Sequence, residues 1–214
     1  MTKPNKLIVT GLLLMTLVMA TSSFTSSTLA RYVSEGNVKD GAGVAKWGVE
    51  IKATGNCVSS ADGTILSSTD LKLRPGSEIT AINYSLSGTP ETSAEVTYEV
   101  MDVNLENWTA SDNEGNIYFP IRLKVNGKYI NIMPADSSDL IESAIKTELQ
   151  KEADKLKTVY DAGSTASTVG EGFSLTVVWP LTGENDELDS ELTVSSANPP
   201  QLSISVKAVI TQID

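Results

Sequence analysis

The sequence predicts a mainly β fold, an antiparallel sandwich or barrel, interrupted by one amphipathic α-helix. From residue 44 onward, short runs rich in Val, Ile, Thr and Tyr follow one another, punctuated by Gly, Asn, Asp and Pro, which is the mark of an all-β domain. Within those runs apolar and polar residues alternate. Leu202, Ile204, Val206, Ala208 and Ile210 are interleaved with Ser203, Ser205, Lys207 and Val209, so one face of that segment goes to a core. Between residues 139 and 160 the period changes from two to that of a helix: Ile141, Ile145, Leu149, Leu156 and Tyr160 recur with Leu140, Ala144 and Ala153, and Glu, Lys and Gln fill the other face.

The strands are predicted over 44–54, 78–87, 94–103, 117–125, 128–132, 173–181 and 202–213. Asn126-Gly127 lies between two of them, and this pair supplies the positive φ angles of a two-residue hairpin turn. Pro75, Pro199 and Pro200 stand at strand entries, because proline cannot donate to a central ladder. For the helix, Asp139 followed by Glu142 resembles a capping box, and Gly163 is placed to end it. Its charged face is expected to be solvated. The Ser/Thr/Gly-rich stretch 163–172 reads as a loop.

The first 30 residues read as a secretory signal peptide. Lys3 and Lys6 precede an uncharged stretch that lasts until Arg31, with an apolar run from Leu7 to Ala20 and a small residue, Ala30, at its end. A run of 14 residues is short for a membrane span, which takes about 20; an uncleaved anchor is the competing reading. Cleavage between Ala30 and Arg31 would free an extended arm, residues 31–43, ahead of a single β domain, residues 44–214. It would also remove Lys3 and Lys6, taking the formal charge from -11 to -13.

Composition excludes more than it identifies. With 16 Lys+Arg against 27 Asp+Glu, the chain is expected to repel nucleic acid and, once the signal is removed, anionic membrane surfaces. There is no histidine, so the chain alone offers no Ser-His-Asp or Cys-His machinery and no His-containing zinc site. One cysteine, Cys57, allows no internal disulfide; in its loop-like setting it reads as a spectator thiol. The remaining chemistry is sparse. Ser143 and Lys146 fit Ser-x-x-Lys, but the Ser-Asp-Asn and Lys-Thr-Gly companions of the acyl-enzymes are missing. Glu184, Asp186, Glu187, Asp189 and Glu191 place five carboxylates in eight residues, a density of hard oxygen ligands suited to Ca²⁺, without the spacing of an EF-hand; the competing reading is a solvated turn. No other cofactor is expected. Trp47 and Trp179 read as core residues of strands, and Trp108 as the tryptophan open to a ligand such as carbohydrate.

Several segments together carry a resemblance: Thr28-Leu-Ala-Arg-Tyr-Val33, Gly43-Val-Ala-Lys-Trp-Gly-Val49, Arg74-Pro-Gly76 before Gly88-Thr-Pro-Glu91, Pro120-Ile-Arg-Leu-Lys-Val-Asn-Gly127, Val177-Val-Trp-Pro180 and the terminal Val209-Ile-Thr-Gln-Ile-Asp214. The chain resembles exported proteins of Gram-positive, clostridia-like bacteria allied to the TasA/camelysin family. The resemblance implies a jelly-roll-like sandwich, secretion to the extracellular space or cell surface, and self-association, or association with other matrix proteins, into biofilm fibres. In such fibres the freed N-terminal segment of one subunit completes a sheet of the next. Carried over, the donor arm is residues 31–39, led by Arg31, Tyr32 and Val33, with no acceptor edge assigned. A monomeric adhesin or binding module, stabilised by Ca²⁺, is the alternative. The peptidase activity ascribed to camelysin does not carry over, because a zincin site of the His-Glu-x-x-His type needs histidines this chain lacks. The expectation is therefore a non-enzymatic structural protein.

Overall fold

The structure, a computed structural model, describes residues 37–38, 42–54, 56–60, 63–164, 172–181, 183, 185–194 and 198–213. The export signal, the Ala30–Arg31 junction and the donor residues Arg31, Tyr32 and Val33 lie outside them. The strands are β1 (Asn37–Val38), β2 (Ala42–Lys46), β3 (Val49–Thr54), β4 (Asn56–Ser60), β5 (Thr64–Lys72), β6 (Glu78–Gly88), β7 (Ala94–Glu106), β8 (Arg122–Val125), β9 (Lys128–Tyr129), β10 (Thr158–Tyr160), β11 (Ser174–Val178) and β12 (Gln201–Gln212); the helices are α1 (Ser138–Lys155) and α2 (Asp186–Val194).

Two antiparallel sheets form, ordered β1-β4-β5-β12-β7-β10 and β2-β3-β6-β11-β8-β9. Within them β5 to β12 follow the winding of a jelly roll, β5-β12-β7-β10 facing β6-β11-β8-β9. The strands before β5 extend the two sheets on the same side, β1 and β4 beside β5, β2 and β3 beside β6. The expected jelly-roll-like sandwich is thus the fold. Its middle strand is β12, whose five alternating apolar residues are all buried between β5 and β7.

A tyrosine fastens the sheets to each other. Ser67 of β5 and Val206 of β12 are register partners, yet the hydroxyl of Tyr84, arriving from β6 in the opposite sheet, stands between them. It accepts from the Ser67 amide at 3.0 Å and donates to the Val206 carbonyl at 2.5 Å. The Tyr84 ring packs against Tyr98 and Phe173, with centroids 5.7 and 6.3 Å away. Burial pushes the Tyr84 and Tyr98 phenols well above the ordinary tyrosine range. The folded state then keeps protons that the unfolded chain releases above about pH 10. Stability should be whole below that pH and fall as pH rises through it, by up to about 1.4 kcal/mol per pH unit for each phenol. Urea unfolding followed from neutral into alkaline solution checks this; a flat profile contradicts it.

The structure corrects several expectations. The helix ends at Lys155, with Leu156 as its C-cap, and Thr158–Tyr160 instead pair with β7 as β10; a Thr-Val-Tyr run favours a strand over a helical turn. Gly163 accordingly stops β10, not the helix, with φ 79° and its amide on the Pro90 carbonyl. Ser137 is the N-cap and makes no side-chain cap. Glu142 reaches the sheet rather than the helix start, accepting from the Leu105 amide at 2.7 Å. The predicted strand 44–54 is a hairpin that turns at Trp47 and Gly48, φ 49° and 80°. Pro120 and the residues before it leave only Arg122–Val125 of 117–125 as a strand, only Lys128–Tyr129 of 128–132 is one, and β4, β5 and β10 lie outside the predicted strands. A second helix, α2, occupies the acidic stretch.

Candidate functional site

The question raised by the sequence is where a donated strand would dock, so the edges of the first sheet are decisive. One side is closed. β10 pairs with β7 at Ala94, Glu95 and Val96, and beyond that point helix α1 takes over with side chains one turn apart. Gln150 accepts from the Val100 amide at 2.8 Å and donates to the Tyr98 carbonyl at 3.1 Å, Lys146 donates to the Met101 carbonyl at 2.7 Å, and Glu142 holds the Leu105 amide. Residues 142, 146 and 150 share one face by their spacing of four. That face, expected to be solvated, occupies main-chain groups of an edge strand that would otherwise invite pairing. Lys146 of the Ser-x-x-Lys match is thereby engaged with Met101.

The other side of this sheet ends in β4. Its burial alternates, Asn56 and Val58 outward and exposed, Cys57 and Ser59 inward and buried. The Cys57 sulfur lies 3.2 Å from the Ser67 hydroxyl, and Ser67 is bound in turn to Tyr84. The edge is therefore tied by short steps to the pin between the sheets. Outside β4 lies β1, paired at two positions, Asn37 with Val58 and Val38 with Cys57. At about 0.2–1 kcal/mol per cross-strand pair, that pairing is weak.

No family model, curated protein or solved structure matches the chain.

The acidic stretch becomes part of the framework. Leu188 and Leu192 stand four apart, Leu192 fully buried, and Asp186, Glu187 and Asp189 crowd the first turn of α2, where carboxylates favour a helix. Asp189 is itself buried, and its Oδ1 accepts from Trp179 Nε1 at 3.0 Å and Tyr118 hydroxyl at 2.8 Å. Burial and this hydrogen bond to Asp189 push the Tyr118 phenol upward. Asp186, Glu187 and Glu191 face solvent, and Glu184 lies outside the described residues. Among the described residues, no three His, Cys, Asp or Glu side chains come together as a metal-binding group.

The tryptophans also differ from expectation. Trp108 is buried, its ring centroid 4.9 Å from Phe119 and 5.8 Å from Trp179, with Nε1 donating to the Gln201 carbonyl at 2.8 Å. Trp179 is in the core, as read. Trp47 sits in a turn, half-buried, with the Lys46 ammonium 4.1 Å from its ring centroid. Cys57 lies in a strand rather than a loop, and its thiol is shielded from bulk solvent. Sequence reasoning missed β4 as a strand because Asn56-Cys-Val-Ser-Ser60 carries small residues, Cys57 and Ser59, on its inward face, which weakens the alternation to near invisibility.

Proposed function

We propose that the chain is a secreted, non-enzymatic structural subunit of an extracellular fibre, assembled by N-terminal strand donation onto β4. The observation that carries this reading is the two-residue pairing of β1 at one edge of the sheet, while β7, toward the other edge, gives main-chain groups to β10 and to side chains of α1. Continuing the register of β1 would set residues 35–39 against all five residues of β4. An arm released from its own edge and received by a neighbour's exchanges a short pairing for a longer one, with main-chain bonds supplying the affinity.

Charge sets the conditions. At -13 after processing, subunits repel one another over a screening length of about 30 Å at 0.01 M salt and about 8 Å at 0.15 M. Raising salt should therefore speed assembly. The mature chain, residues 31–214, is expected to form filaments visible by electron microscopy, and a chain beginning at residue 40 is expected to stay monomeric with an unchanged circular dichroism spectrum. Filaments from the shortened chain would exclude strand donation. Persistent monomers of the longer one at all salt concentrations would exclude the fibre.

A further inference from the structure

The β8–β9 hairpin opens at its base. Asn126 and Gly127, φ 47° and 80°, close its turn, and Ile130 N donates to Leu123 O at 2.9 Å. Beyond that bond the two segments part. Pro120 has no N–H to offer, and upstream of it the amides of Ile117 and Tyr118 go to the carbonyls of Ala135 and Ala110 instead. Among the described residues, Phe119, Ile121, Asn131 and Ile132 make no main-chain hydrogen bond. Four residues on two facing segments thus lack the pairing that a neighbouring strand would provide.

The opening is a cleft of about 670 Å³ between these segments, bounded by Pro180 and Asn185 on its other side. Its volume is that of a ligand site. Arg122 is the one charged side chain among its described lining residues, and it is exposed with no ion pair or hydrogen bond from its side chain among them. In a chain of net charge -11, an unpaired guanidinium beside unpaired peptide groups selects for a carboxylate, which it can bind through two parallel hydrogen bonds. At Asn131 the cleft meets a second hollow of about 310 Å³ along α1, where Met133 and Leu140 are 67% and 56% exposed. An unbranched thioether and a leucine open to water form a shelf for an apolar side chain.

We propose that this cleft binds an extended segment of a partner protein as an added strand, with a carboxylate of the segment on Arg122 and an apolar side chain on the Met133–Leu140 shelf. Main-chain pairing gives affinity, and the two side-chain positions give selectivity. The site is separate from β4 and does not depend on fibre formation.

Two pools of fluorescein-labelled hexapeptides test it, both built from Val, Ile, Leu and Thr, one with a fixed Glu and the other with a fixed Lys at each position in turn. Fluorescence polarisation against the mature chain lacking residues 31–39 should show binding of the Glu pool and not the Lys pool. Arg122→Ala should weaken that binding at least tenfold, and NMR should show the amides of Phe119, Ile121, Asn131 and Ile132 protected from exchange by a selected Glu peptide. No binding by either pool, equal binding by Arg122→Ala, or unprotected amides would overturn the proposal. A concentration-dependent dimer of this chain, lost in Arg122→Ala, would name a second copy as the occupant and overturn the partner reading.

Discussion

Tyr84→Phe is expected to lower the free energy of unfolding by about 2–4 kcal/mol, because a ring of the same shape no longer brings a hydroxyl between the Ser67 amide and the Val206 carbonyl. Each buried main-chain group left without its partner costs about 1–3 kcal/mol. Stacking on Tyr98 and Phe173 survives the substitution, so the loss isolates the hydroxyl. Tyr160→Phe supplies the contrast. The Tyr160 hydroxyl is buried with no partner among the described residues, and removing an unsatisfied hydroxyl leaves stability unchanged or raises it by about 1 kcal/mol. Urea unfolding of the two variants should move in opposite directions, or the second not at all; a Tyr84→Phe midpoint equal to the parent's would show that the ladder closes without the hydroxyl. Because Ser67 also faces Cys57 of β4, the same variant should loosen the edge proposed to accept the arm.

Asp189→Ala is expected to cost about 2–4 kcal/mol as well. It leaves Trp179 Nε1, fully buried, and the Tyr118 hydroxyl without their acceptor, and hydrogen bonds to a charged group contribute about 1.5–3 kcal/mol each. It also detaches α2 from the core formed by Trp108, Phe119 and Trp179. The tryptophan emission of the folded protein should shift to longer wavelength as water reaches that cluster. If Asp189 were chiefly a cation ligand, the variant would match the parent in calcium-free buffer and differ only when calcium is added. Equal stabilities in chelator would therefore contradict the role given to its carboxylate.

The parts of the fold that were legible share one property: apolar and polar residues alternate over five or more positions, as in β12 and β7, or a turn has one chemical solution, as at Asn126-Gly127. What escaped has a physical cause in each case. β4 and β5 bury Ser59 and Ser67 on their inward faces, so hydropathy gives no contrast there. The turn at Trp47-Gly48 left a trace in the change of parity from Val44 to Val49, Ile51 and Ala53, all buried, but an aromatic residue at φ 49° is a conformation that propensity argues against. The polar neighbours of Trp108 point to an exposed ring and those of Asp189 to a solvated turn or a calcium ligand, but long-range partners, Gln201 for one and Trp179 for the other, place both inside. The proposed acceptor edge needed the sheet order, since β1 and β4 are joined by a register that no local pattern encodes.

If the arm of one subunit pairs with β4 of another, residues 38 and 57 of different chains come together. Val38 and Cys57 are register partners in the antiparallel pair β1–β4, at a Cα separation of about 4.5–5.5 Å for such pairs, within the range of a disulfide. The mature chain carrying Val38→Cys, allowed to assemble in reductant, then oxidised and run on a denaturing gel without reductant, should give a ladder of covalent multimers that collapses to one band when reduced. A single monomeric band of internally bridged chain from assembled material would mean that each arm stays on its own edge, and strand donation onto β4 would be wrong.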